Sequence, residues 1–221
     1  MSFTFFTDRL GGYSQGDFSS LNLALHVEDE AATVLRNREV IEQSHGKTIY
    51  MNQVHGNDVV VVDQVLDQDP TCDALITTTK GISLAVMVAD CIPLLLISQE
   101  AVAAVHVGRV GLVNKVAIKA LHHMRALGAI EVHAILGPSI CGKCYEVPFE
   151  MQQDVIAEHP RAFSTTRHGT PALDLPAGLI ADLTAEGVSY EASVICTQED
   201  PLYYSHRKEN PTGRFAGVVS L

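Results

Sequence analysis

ISLAVMVADCIPLLLISQEAVAAVHV, residues 82–107, is the stretch whose reading decides the fold. Residues 82–98 approach the length of a membrane span, but a spanning helix needs about 20 apolar residues. Asp90 and Pro93 interrupt this run. It therefore reads as two buried strands, 83–89 and 93–97, joined by a turn, with 101–107 as a further strand. Two metal-binding residue types fall at the ends of these runs, Cys91 within VADCIP and His106 within AAVHVG.

Upstream, residues 48–54, 58–63 and 74–78 are also β-rich, and the short connections predict mostly antiparallel pairing. Residues 29–44 predict a helix with Ala31, Val34, Leu35 and Ile41 on its apolar side and Gly46 as its stop. Residues 3–22 alternate aromatics with turn formers, which predicts a short strand and an ordered loop. Downstream, 112–127 predicts one amphipathic helix with Leu112, Val116, Leu121, Met124 and Leu127 on its apolar side and Gly128 as its C-terminal signal. A strand at 131–136, the turn-rich GPSICGKCYEV, helices at 148–158 and 177–186 separated by a Pro/Thr/His-rich loop, and strands at 190–196 and 215–219 complete the chain. The expectation is an α/β fold: one domain over residues 1–221, with mixed, largely antiparallel sheets covered by helices.

The 221 residues are 47% hydrophobic and 19% charged, which suits a packed core and excludes a disordered composition. A chain of this size buries roughly 70 to 75% of its unfolded surface and needs no covalent staples. The formal net charge of −11 opposes binding to nucleic acid or an anionic membrane, both of which require a positive field. A small substrate is expected instead. Residues 2–8 lack a basic segment followed by an apolar one, and five cysteines are an odd number for a disulfide framework. Both features predict a cytoplasmic protein with reduced thiols.

His55 in NQVHG, Cys91 and His106 each sit beside a turn or glycine signal at a strand end. Two imidazoles and a thiolate give a zinc ion three protein ligands and leave a fourth position for water or substrate, as in catalytic zinc sites. A histidine on an apolar strand is ordinarily a hydrogen-bonded core residue, so it is the trio that signals metal. Gly108 and Gly111, with Arg109 between them, precede a helix and suggest a cradle for phosphate; the plainer reading is a strand-to-helix turn needing unusual dihedrals. Cys141 and Cys144 form a CxxC, but no second pair in the sequence completes a structural metal site. Cys72, Cys141, Cys144 and Cys196 are otherwise read as buried thiols. His122 and His123 point about 100° apart on a helix and read as surface residues. Asp58, Asp73 and Asp90 are candidate proton carriers, and Arg9, Arg36, Arg38, Arg207 and Arg214 are candidate phosphate ligands that the sequence does not rank.

Taken together, DRLGGYSQGDFSSLNLALHV, NQVHG, CDALITT, LAVMVADCIPLLL, AAVHVG, LGPSICGKCYEV and CTQEDPLYYSHRKENPTGR resemble the laccase-domain family, also called multicopper polyphenol oxidase-like, over nearly the whole chain. The resemblance implies that His55, Cys91 and His106 are zinc ligands. It implies a fold like that of the cytotoxic necrotizing factor toxins. The implied activity is phosphorolysis of adenosine, inosine, guanosine or methylthioadenosine, and hydrolytic deamination of adenosine, with purine nucleoside and phosphate as partners. Cys91, His106 and Asp90 would then be catalytic, and Gly108, Arg109 and Gly111 would bind substrate. Relatives commonly read HAGWRG where this chain reads HVGRVG, so Arg109 and Val110 occupy the usual Trp and Arg positions. Likewise His206 and Lys208 stand where SYRR is common.

Three other readings stand beside this one. Copper-dependent phenol oxidation, the activity in the family's older name, requires a redox metal and finds no His-x-His pairs here. A hydrolase with Cys91 as nucleophile and His106 as base needs no metal. A role in editing cell-wall peptide composition is implied by relatives and is compatible with a zinc pocket.

Overall fold

The computed structural model describes residues 2–221. The chain begins with β1 (Phe3–Phe6), α1 (Ala31–His45), β2 (Thr48–Ile49), β3 (Val59–Val61) and β4 (Ala74–Thr77). The decisive stretch follows as β5 (Ser83–Val88), β6 (Ile92–Ile97) and β7 (Val102–Val107). Next come α2 (Arg109–Val113), α3 (Val116–Ala126), β8 (His133–Leu136) and α4 (Phe149–Glu158). The hairpin β9 (Phe163–Thr165) and β10 (Pro171–Leu173), then α5 (Leu175–Ala185), β11 (Ser189–Ala192) and β12 (Phe215–Ser220), complete it. No helix among the described residues is long and apolar enough to cross a membrane.

Two sheets carry the fold. One has four strands in the order β1-β12-β5-β2, the other six in the order β11-β8-β6-β7-β4-β3. Side chains alternate across each strand, so every strand in 82–107 feeds two cores. From β5, Leu84, Val86 and Val88 join Leu95 of β6 and Val102 and Ala104 of β7 between the sheets. Ala85 and Met87 face the opposite way, against the α1 side with Ile41. Leu94, Leu96, Ala103 and Val105 pack under the helices with Leu121, Met124, Leu179 and Leu183. The layers run helix, sheet, sheet, helices. Burial on both faces explains why these strands read as continuous apolar runs without alternation, and each fully buried Leu, Ile or Val contributes about 1.5–3 kcal/mol.

The mixed α/β class is as expected, with local corrections. Although β5 and β6 are consecutive, they belong to different sheets, so the turn between them is a crossover and not a hairpin. Three pairs are parallel, β2 with β5, β3 with β4 and β8 with β11, while the others are antiparallel. The helix expected over 112–127 is two helices, interrupted where Lys115 takes a left-handed φ of 57°. Leu127 lies just past the end of α3 and is exposed, and Gly128 follows with φ +100°, as a helix-terminating glycine does. On α1, Ala31 and Leu35 face solvent, while Asn37 and Arg38 are buried. Those two are satisfied by the loop after β1: the Asn37 amide donates to the carbonyls of Ser20 and Asn22, and Arg38 donates to that of Leu23.

Helix α5 is held at its start by Asp174, whose Oδ1 accepts a 2.9 Å hydrogen bond from the Ala177 N–H. Replacing Asp174 with alanine strips that cap and is expected to lower stability by about 1 kcal/mol. The readout is a denaturant midpoint that falls at unchanged m-value.

Candidate metal centre

Three separate elements deliver the donor side chains. His106 lies in β7, whose register places Pro93 opposite His106 and Ile92 opposite Val107. Cys91, one residue before β6, is thereby set beside Gly108. A Cβ on Gly108 would lie 2.9 Å from the Cys91 sulfur and 3.3 Å from the His55 ring. Gly108 has an extended backbone, φ −88° and ψ −174°, so glycine is needed there for close approach and not for unusual dihedrals. His55 comes from the loop after β2. The Gln53 side chain ties that loop to β5, accepting from the Met87 N–H at 2.9 Å and donating to the Met87 carbonyl at 2.7 Å.

The three side chains converge. One ligand atom from each lies within 4.8 Å of the others, the Cys91 sulfur is 4.0 Å from His55 Nε2, and the two imidazoles sit edge to face at 4.6 Å. His55 and Asp90 have φ of 57° and 86°, two of the four non-glycine left-handed residues among those described. Such backbone costs about 1–3 kcal/mol each and persists only where surrounding contacts enforce it.

Asp73 organises the group. Fully buried, its carboxylate accepts from the N–H groups of Val54, His55 and Gly56 at 3.3, 3.0 and 2.6 Å. It also accepts from His106 Nδ1 at 2.8 Å. The proton of that imidazole is therefore on Nδ1, which leaves Nε2 to face the other donors, the carboxylate-supported histidine typical of metal sites. Burial opposes ionisation of Asp73, but His106 and the backbone donors outweigh it and hold its carboxyl below the usual range. The sequence reading of Asp73 as a proton carrier thus meets a carboxylate filled with hydrogen bonds.

Burial also works against charge on the Cys91 thiol, yet His106 and His55 outweigh it and bring the thiol down to about 6. For His106, burial is outweighed by the Cys91 sulfur and Asp73, which push the imidazole up to about 9. Both shifts favour the charged forms, and for Cys91 that means a readily ionised sulfur. A thiolate and two imidazole nitrogens that already converge, one of them oriented by a buried carboxylate, are a donor set that fits a divalent metal.

A cavity of about 320 Å³ opens beside the trio, within the range of small-molecule sites. Arg109, Arg207 and Arg214 line it, together with His26, His206 and Tyr145. Gly108 and Gly111 do not line it; a Cβ on Gly111 would instead press on the His106 carbonyl and Val116 at 3.1 Å. Asp90 is in the wall, but both oxygens are occupied, accepting from the Thr197 hydroxyl and the Arg207 N–H at 2.7 Å each. The Arg207 guanidinium donates to the Glu146 carbonyl and sits over the Tyr145 ring.

The remaining sequence candidates lie elsewhere in the fold. Arg9 packs on Tyr204, Arg36 on Tyr13, and Arg38 pairs with Asp69. Asp58 is exposed and 3.7 Å from Lys119. His122 and His123 are exposed on α3, as expected, with His122 against Glu186. Cys72 and Cys196 are buried, whereas Cys141 and Cys144 are only partly so. His26 and Tyr145 are cavity residues that the sequence does not announce. A histidine inside LNLALHV carries no local signal, and Tyr145 had one only as part of CYEV.

The sequence profile of the family described as multi-copper polyphenol oxidoreductase laccase matches residues 3–221. The chain belongs to this family. Purine nucleoside phosphorylase SCO2081 of Streptomyces coelicolor is 44% identical to it, over 98% of this chain and 94% of the relative. Purine nucleoside phosphorylase Rv2149c of Mycobacterium tuberculosis is 42% identical, over 96% and 89%. Among solved structures, Neisseria meningitidis protein NMB0706 superposes with a TM-score of 0.90 at 35% identity, covering 100% of this chain and 94% of that one. The laccase-family resemblance read from the motifs is thus borne out, and the relatives' names support an enzyme.

Proposed function

We propose that this chain phosphorolyses purine nucleosides at a zinc ion held by His55, Cys91 and His106. The observation that carries this reading is the cationic cavity wall. Arg109, Arg207 and Arg214 line one pocket beside the trio, and among the described residues none of the three forms a salt bridge with a carboxylate. In a chain of net charge −11, three guanidinium groups on one wall against the single carboxylate of Asp90 favour an anionic ligand, and guanidinium matches phosphate geometry.

Phosphorolysis requires phosphate to be held against ribose C1′ while the C1′–N9 bond breaks and the purine takes the bonding pair. In this reading Arg109, Arg207 and Arg214 hold the phosphate and offset its charge. Met87, Ile140 and Leu175 supply apolar wall for the flat base. Asp90, whose two oxygens accept from the Thr197 hydroxyl and the Arg207 N–H, positions Arg207 through its backbone. When bound, zinc supplies Lewis-acid polarisation at its open position. All five cysteines are free, which suits the reducing cytoplasm.

Purified protein given adenosine and phosphate is expected to yield adenine and ribose 1-phosphate, to lose this activity with a chelator, and to regain it with zinc. Inosine formed without phosphate would identify deamination as a second reaction of the same site. No turnover of any purine nucleoside by zinc-loaded protein overturns the proposal. Arg109→Ala is expected to raise the phosphate KM about 10- to 100-fold, the equivalent of one charge-assisted hydrogen bond, with a much smaller change in the nucleoside KM.

One observation favours a second reading. Cys91, His106 and Asp73 follow one another as thiol, imidazole and carboxylate, the order used by cysteine hydrolases. That chemistry leaves His55 without a role. Activity that survives complete metal removal and ends on alkylation of Cys91 would select it over the zinc reading.

A further inference from the structure

The CxxC at residues 141–144, incomplete in the sequence, is completed in space. Cys141, Cys144, Cys196 and Glu199 each present one ligand atom within 4.8 Å of the others. We propose that these four side chains form a second, structural zinc site, distinct from His55, Cys91 and His106.

Two turns with the same spacing meet here. In the first, the N–H groups of Cys144 and Tyr145 both donate to the Cys141 carbonyl at 3.0 Å. In the second, the N–H groups of Glu199 and Asp200 donate to the Cys196 carbonyl at 3.0 and 2.9 Å. Each turn therefore projects two donors three residues apart, the C-x2-C arrangement of zinc-binding turns, with glutamate replacing the fourth cysteine. A bridge between Ser139 and Cys196 holds the two turns side by side. These segments continue β8 and β11, which run parallel. The second pair is 55 residues away in sequence, so no local spacing announces it.

The surroundings suit a cation bound by sulfur. The Cys141 N–H points at the Cys196 sulfur at 3.4 Å, a contact that stabilises negative charge on sulfur. Three thiolates and a carboxylate around one divalent ion leave an excess of two negative charges, and Arg167 offsets one of them. It pairs with Glu199 and reaches the Cys144 sulfur at 3.9 Å. None of the cysteines is in a disulfide. Sulfur atoms in a tetrahedral zinc site lie about 3.8 Å apart, compatible with a cluster of this size, whereas a disulfide would draw two of them to about 2.05 Å.

The location gives the site a purpose. Cys141 and Cys144 are flanked by Ile140 and Tyr145, both in the cavity wall. Cys196 precedes Thr197, whose hydroxyl holds Asp90. A zinc ion here fastens the wall of the substrate cavity from behind without touching substrate.

The test is metal stoichiometry. Full-length protein, equilibrated in a zinc-buffered solution and analysed by mass spectrometry of the metal, is expected to carry two zinc ions per chain. Cys144→Ser and Cys196→Ser should each carry one, Cys91→Ser should also carry one, and Cys91→Ser combined with Cys196→Ser none. A guard against misfolding is cobalt substitution of the Cys91→Ser chain, in which the only thiolates near a metal are those of the second site. An intense sulfur-to-cobalt charge-transfer band is expected there. A single zinc per wild-type chain that disappears in Cys91→Ser, or a Cys91→Ser chain with no such band, overturns the second site while leaving the first untouched. A Cys141–Cys144 or Cys141–Cys196 disulfide in the native protein would equally overturn it.

Discussion

Cys91→Ser is expected to empty the metal centre and lower kcat/KM for nucleoside phosphorolysis by at least about a thousandfold, roughly 4 kcal/mol of transition-state stabilisation. Serine nearly matches the shape of cysteine, so the β5–β6 crossover and the Gly108 contact are kept. What is lost is the soft, readily ionised donor. The Cys91 thiol is held down at about 6 by its two imidazole neighbours, whereas a serine hydroxyl stays protonated and binds zinc poorly. Two measurements on one preparation check the outcome: zinc per chain falls by one, and turnover falls with it. Unchanged zinc with lost turnover would point to Cys91 as a nucleophile instead.

Asp73→Asn combines a loss of function with a loss of stability. The carboxylate receives three backbone N–H groups and the His106 Nδ1–H with no exposure to solvent. An amide of the same shape turns an NH2 toward one set of these donors, leaving buried donors facing each other. Leaving such a network half satisfied costs about 3 kcal/mol, and loss of the carboxylate behind a ligand imidazole lowers metal affinity about 10- to 100-fold. Denaturant unfolding of the metal-free protein isolates the first effect and competition with a zinc chelator the second. A variant with wild-type zinc affinity would remove Asp73 from the centre's support.

The donors were legible in the sequence because each lies where an apolar run ends, and a residue that can ligate metal at such a boundary stands out. The strands of residues 82–107 were legible for a related reason: burial on both faces leaves only Ser83 and His106, each near a strand end, as polar residues inside them. What was not legible depends on contacts between distant segments. Nothing near Lys115 marks the break between α2 and α3, since the apolar period of the helix runs through it. Leu35 reads as core by period but faces solvent, because Asn37 and Arg38 turn inward to bond the loop after β1. Arg207 and Arg214 look like any surface arginines until the C-terminal segment folds over the cavity. The supporting role of Asp73 was hidden too, since an acid before a strand does not reveal which backbone groups it collects.

The crossover at Asp90 and Cys91 gives the centre a mechanical meaning. His55 follows a strand of the four-stranded sheet, His106 belongs to the six-stranded sheet, and Cys91 sits where the chain passes from one to the other. An ion held by all three would be a rivet through both layers of the sandwich. Sliding one layer over the other would pull its donors apart, so loading the metal and resisting shear become the same event, and the empty protein should melt at a lower temperature than the filled one.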